Sequence, residues 1–189
     1  MAKRAPDTST AKGKGQAQVE TVGLDMGKVP PQAIDMEEAV LGALLLEPNA
    51  SLDIVGVVKP EYFYKESHQK IFSAITDLVT EHNPVDIYTV AEELKKHNQL
   101  DEVGGPYYLS QLTMRVAAAS HLEYHSKVLT QKFIQRELIT TSYGILRDAF
   151  DDTIPADELL DASQQKLFQL GEMNLRRDTR PVRSVRSEE

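Results

Sequence analysis

Cysteine is absent from all 189 residues, so neither a disulfide framework nor a thiolate zinc site can form, and a reducing cytoplasm suits the chain. No apolar run approaches the roughly 20 residues that cross a bilayer, and the polar N-terminus lacks the apolar region of a secretory signal. The expected location is therefore cytoplasmic, with no membrane partner. A phosphate-binding loop is missing too. That loop needs Gly-x-x-x-x-Gly-Lys-Ser/Thr, because its backbone amides cradle phosphate and its hydroxyl reaches magnesium. Gly23-Leu-Asp-Met-Gly27-Lys28-Val29 has the wrong spacing and ends in Val, and Gly13-Lys14-Gly15 is no better. No catalytic residue, bound cofactor or resident metal is expected in this chain.

What is present suits a soluble globular protein. Hydrophobic residues make up 41% of the chain, with five Phe and seven Tyr, enough to build the core of one or two compact units. The net charge of −8 is unevenly spread: residues 1–30 and 174–189 each contribute +2, which leaves −12 on the body between them. An acidic body repels phosphate, so protein partners fit it better than nucleic acid.

Residues 1–30 hold almost no large apolar side chain and read as a disordered tail, in which Lys3, Arg4, Lys12 and Lys14 are more simply solvated than bound to nucleic acid. Pro30-Pro31 is expected to start the first helix, with Val40, Leu41, Leu44 and Leu45 turned inward and Pro48-Asn49 at its end. Tyr62, Phe63 and Tyr64 are expected to plug the core; as a platform for stacking bases they lack interleaved basic residues beyond Lys59 and Lys65. Ser67 can cap the next helix, whose inner face is Ile71, Phe72, Ile75, Leu78 and Val79.

A pair of short helices follows. Asp86 can cap the first, whose Ile87, Val90, Ala91 and Leu94 share one face, and Asn98 suits a left-handed exit. The second opens at Pro106 after Gly104-Gly105. Ser120-His-Leu-Glu123 has capping-box spacing and launches a helix of some thirty residues, about 45 Å long. Only Glu137, Thr141, Gly144 and Asp148 form a polar stripe on it, so it needs more than one packing partner. A last helix from Pro155 carries Leu159, Leu160, Leu167, Phe168 and Leu170, which can fold back on the long one. The remaining apolar surface suggests a second copy of the chain or another protein.

The stretch Asp86-Ile-Tyr-Thr-Val-Ala-Glu-Glu-Leu94, with Leu100-Asp-Glu-Val-Gly-Gly105 and Tyr108-Leu-Ser-Gln-Leu112, resembles the N-terminal domain of bacterial replicative DNA helicases of the DnaB family. Pro30 to Leu46, Phe63-Tyr64 with His68-Gln-Lys-Ile-Phe72, and Ala156-Asp-Glu-Leu-Leu-Asp-Ala162 to Phe168 agree in order and spacing. The likeness covers residues 29–175. It implies an all-α fold: a small globular helical head over 31–119, a long antiparallel helical hairpin over 120–175, and at 176–189 the start of a linker to a RecA-like ATPase domain.

In that family the domain forms a collar over the ATPase ring, helps hold a hexamer together through hairpin pairing, and receives primase and sometimes a helicase loader. ATP and magnesium belong to the ATPase domain, and DNA is engaged by the full-length protein, which unwinds duplex DNA at the replication fork. The candidate primase contacts are Tyr108, Ile139 and Ile145, and the candidate self-association residues are Leu138, Leu146 and Phe168. Two other classes compete: a free-standing protein adaptor, and a helix-turn-helix module presenting Gln111 and Arg115 to DNA, against which the net charge argues. His121 and His125 sit one turn apart with Glu123 between them, but not in metalloprotease order, and a solvated first helical turn is the simpler reading.

Overall fold

The computed structural model describes residues 28–47, 54–114 and 121–178. Its elements are α1 (Ile34–Leu46), a 3-10 turn (Pro60–Tyr62), α2 (Glu66–Thr80), α3 (Ile87–Lys96), α4 (Gly105–Met114), α5 (Leu122–Ala149) and α6 (Ala156–Asp178). No strand occurs among the described residues, so the chain is all-α.

The head is arranged around α1. Val40, Leu41, Ala43, Leu44 and Leu45 are consecutive or nearly so, and all are buried, so this helix is apolar around most of its girth. It can be so because α2, α4 and α5 all pack on it. The helix begins at Ile34 behind Ala33, with no side-chain cap, rather than at Pro30-Pro31. Pro48 and Asn49, expected to end it, lie outside the described residues. Phe63, Phe72, Ile71, Ile75, Leu94, Leu109 and Leu112 complete the core. Phe63 and Tyr62 fill it as expected, whereas Tyr64 stands partly in solvent.

Helix ends explain the connections. Asp86 accepts hydrogen bonds from the amides of Tyr88 and Thr89, and Thr89 Oγ1 accepts from the Asp86 amide, closing a reciprocal cap on α3. Helix α2 ends with His82 at φ 60°, and α3 with Asn98 at φ 58°. In each the next amide reaches back five residues: Asn83 N to Leu78 O at 2.8 Å, and Gln99 N to Leu94 O at 2.8 Å. Gly104 at φ 102° enters α4; a Cβ there would lie 3.0 Å from that of Tyr108.

One expected cap is replaced. Ser67 sits inside α2, and the amides ahead of that helix are satisfied from a distance: Glu37 of α1 accepts from Tyr64 N at 2.7 Å and Lys65 N at 3.4 Å. Helix α5 starts behind His121 with no side-chain cap, and Ser120 lies outside the described residues.

The first third of α5 belongs to the head core. Leu122, Ser126, Leu129, Thr130 and Phe133 recur on one face and are buried, and Phe133 stacks on Tyr62 with ring centroids 4.7 Å apart. Beyond Phe133 no residue of α5 is fully buried. The helix leaves the head there and runs out beside α6, which packs back on it after a turn held by Asp151, whose side chain accepts from Thr153 N and Oγ1. Those two hydrogen bonds, the hydroxyl's first, pull the Asp151 carboxyl below its usual range.

Candidate protein-interaction surface

Three side chains, two of them buried, lock the head. His68 and Glu37 are 0% and 1% exposed. Glu37 already accepts two backbone amides, and its Oε2 also accepts a hydrogen bond from His68 Nδ1 at 2.7 Å. This leaves His68 Nε2 facing the Tyr108 hydroxyl at 2.7 Å. The chain of contacts ties α1, α2 and α4 together through polar atoms inside an apolar core.

A second device sets the hairpin on the head. Arg136 of α5 donates to the carbonyls of Pro31 at 3.0 Å, Glu61 at 3.3 Å and Tyr62 at 2.8 Å. Its guanidinium also lies 5.7 Å from the Tyr64 ring and 5.8 Å from that of Phe133. Burial draws its pKa down, partly countered by Glu37, Glu137 and Tyr64. The planar fork suits several carbonyl acceptors at once.

Above this latch the hairpin is poorly covered. Leu138, Ile139, Ser142, Tyr143 and Leu146 line an open depression of about 310 Å³ on α5. Leu138 is 41% exposed, Ile139 43% and Leu146 38%, and on α6 Leu160, Leu167 and Phe168 also face solvent. The polar stripe Glu137, Thr141, Gly144 and Asp148 is half-buried instead, and Asp148 Oδ2 receives Lys166 of α6 at 3.4 Å. The return helix thus leaves the apolar face of α5 open. Leu160, Leu167 and Phe168 do not fold back onto α5; Leu159, Ser163, Leu170 and Glu172 are the half-buried positions among the described side chains of α6.

The structure distributes the expected contact residues unevenly. Ile139 joins Leu138 and Leu146 in one depression, although the sequence assigned them to two different partners. Ile145 is half-buried and does not line it, and Phe168 is exposed on α6. Tyr108 is half-buried with its hydroxyl on His68, while its neighbour Tyr107 is 74% exposed. Tyr143 is half-buried and lines the same depression. His121 and His125 stand with ring centroids 6.3 Å apart; burial, then the charge of His121, holds His125 below its usual range. No described helix is long and apolar enough to cross a membrane.

A helical head from which a two-helix hairpin runs out, with an apolar face left open on that hairpin, defines an all-α domain. A family model described as "DnaB-like helicase N terminal domain" matches residues 29–131, more than half of the chain, and the chain belongs to that family. Over 172 residues, 90% of the chain, it is 40% identical to the replicative DNA helicase DnaB of Rhodothermus marinus, of which it spans 18%. The crystal structure of the N-terminal domain of DnaB helicase from Mycobacterium tuberculosis superposes with a TM-score of 0.70 at 30% identity, over 75% of this chain and 99% of that one. A DnaB-like replicative helicase whose structure was described together with its interactions with primase shares the fold, with a TM-score of 0.59 at 24% identity, over 73% of this chain and 30% of that one. The chain spans between 18% and 33% of the length of the curated relatives it matches.

Proposed function

We propose that this chain serves as the N-terminal scaffold and partner-binding domain of a hexameric, ATP-dependent replicative DNA helicase. Its part is to hold the ring together and to dock primase and, where one is used, a helicase loader. The parent protein would unwind duplex DNA at the replication fork, with ATP and magnesium bound by a RecA-like domain. The observation that carries this reading is the open apolar face of the hairpin, where Leu138, Ile139 and Leu146 share one depression on α5, and Phe168 stands exposed on α6. Exposed leucines and an isoleucine clustered on one helix gain most from being covered by protein. The separate adaptor reading would need the same surface, but it gives no reason for the likeness to helicases along most of the chain.

Within the hairpin, Leu138, Leu146 and Phe168 are our candidates for contact between copies, and Ile139, Ile145 and Tyr108 for primase. For Tyr108 the contact would have to be made by the ring edge, since the hydroxyl is engaged with His68.

Sedimentation of the chain as wild type and with Leu146→Glu and Phe168→Glu tests the assignment. Concentration-dependent association that both charges abolish, with helicity unchanged, is the expected result. Titration with the C-terminal domain of a cognate primase separates the second role: Ile139→Ala should weaken that complex without changing the sedimentation of the chain alone. Association indifferent to all three substitutions would remove the hairpin face from the proposal.

A further inference from the structure

Helices α2 and α3 bring together three side chains that the helicase reading does not use. Glu93 and His97 lie one turn apart on α3, and Asp77 comes from the last turn of α2, which packs against it. One ligand atom from each of the three lies within 4.8 Å of the other two. We propose that Asp77, Glu93 and His97 form a binding site for a divalent first-row transition metal, with zinc the best fit, that clamps α2 to α3.

The geometry supports an ion on three counts. Glu93 Oε1 and His97 Nε2 are 3.3 Å apart. Ligand atoms bound to zinc at about 2.0–2.1 Å in a tetrahedron are separated by about the same distance, so these two atoms already form one edge of a coordination shell. Glu93 is 6% exposed, so one ligand is fixed on a protein floor, while Asp77 and His97 are exposed and free to close by small rotations. Its other oxygen, Oε2, is taken by Lys96, which holds the carboxylate ionised and leaves Oε1 for the site.

Asp77 supplies the second observation. Its carboxylate makes no hydrogen bond or ion pair with any described residue, yet it is held beside another carboxylate. Like charges this close repel, and a cation between them removes the repulsion. An imidazole with two carboxylates suits zinc, cobalt or nickel, whereas magnesium and calcium prefer oxygen alone. With three protein ligands and one open side, water completes the shell.

The test uses the full chain with zinc chloride, followed by calorimetry and thermal unfolding. One zinc per chain should bind with a saturable isotherm and raise the unfolding temperature, since an ion bound only to the folded form stabilises it by mass action. Asp77→Asn and His97→Ala should each weaken binding by about tenfold or more, and both are exposed positions that leave the core intact. Cobalt should give a visible absorption band that His97→Ala removes. Three results would each overturn the proposal: no saturable binding, saturation by magnesium as readily as by zinc, or binding that survives both substitutions but is lost in a His121→Ala, His125→Ala chain.

Discussion

Arg136 reaches across 74 residues of sequence to donate from Nη2 to the carbonyl of Tyr62 at 2.8 Å. The bond joins the point where α5 leaves the head to the 3-10 turn beneath it. With two further carbonyls and two aromatic rings on the same guanidinium, one side chain fixes the direction in which the hairpin departs.

Replacing Arg136 by Ala should therefore lower stability by about 2 kcal/mol, the typical worth of hydrogen bonds to a charged group after allowance for partial exposure. Arg136→Lys should recover only part of it, because an ammonium cannot present a planar fork to three acceptors. Urea unfolding midpoints decide the matter. An unchanged midpoint for the alanine variant would show that the latch carries no energy.

Glu37→Gln is a near-isosteric change with a larger effect. The amide keeps one acceptor but turns an N–H2 toward groups that are all donors: Tyr64 N, Lys65 N and His68 Nδ1. A loss of about 2–3 kcal/mol is expected from the unpaired donors. Denaturant unfolding measures it, and α2 should fray at Glu66 in amide exchange. If exchange at the start of α2 is untouched, Glu37 is not its cap.

The caps show how far sequence carries the fold and where it stops. Asp86, Thr89 and Asn98 act on neighbours within a few residues, and their roles can be read from spacing alone. Ser67 had the right chemistry for a cap, but a carboxylate 27 residues upstream took that place, and no local pattern announces a contact of that range. The polar stripe of α5 misled for a related reason. Amphipathicity says which residues prefer water, but where α6 lies is decided by the turn at Asp151 and by Lys166 on Asp148. Of the contact residues, the inward turn of Tyr108 hung on His68, 40 residues away. The Asp77, Glu93 and His97 grouping was invisible because only its i, i+4 half lies in one helix.

Ser126 offers a gain rather than a loss. Its Oγ is buried and has no hydrogen-bond partner among the described residues, in the middle of a helix face that packs on the head. Ser126→Ala removes an unsatisfied hydroxyl and improves helix propensity, so it should stabilise by about 0.5–1 kcal/mol. A lower midpoint than wild type would mean that the hydroxyl is satisfied in solution.

The hairpin should carry an acid-sensitive contribution. Arg147, through its hydrogen bond first, and then Lys166 hold the Asp148 carboxyl below its usual value of 3.8. A group with a depressed folded pKa stabilises above its unfolded pKa, and the effect fades as pH falls through the folded value. The contribution is thus complete at neutral pH and is lost only below 3.8. Asp148→Asn should lower the melting temperature at neutral pH, and the gap from wild type should close at the acid end. A gap of constant size across the titration would contradict the assignment.

From Ala156 to Glu172 no side chain of α6 is fully buried, so opening this helix uncovers no core. Its amide hydrogens should exchange through local openings far cheaper than the global unfolding that releases those of Leu41 or Phe72. The helix is in effect a built-in gauge. Whatever settles on the hairpin must slow exchange along α6 while leaving the head's slow amides unchanged, so occupancy of this surface can be read from the backbone itself, without a label and without knowing the occupant beforehand.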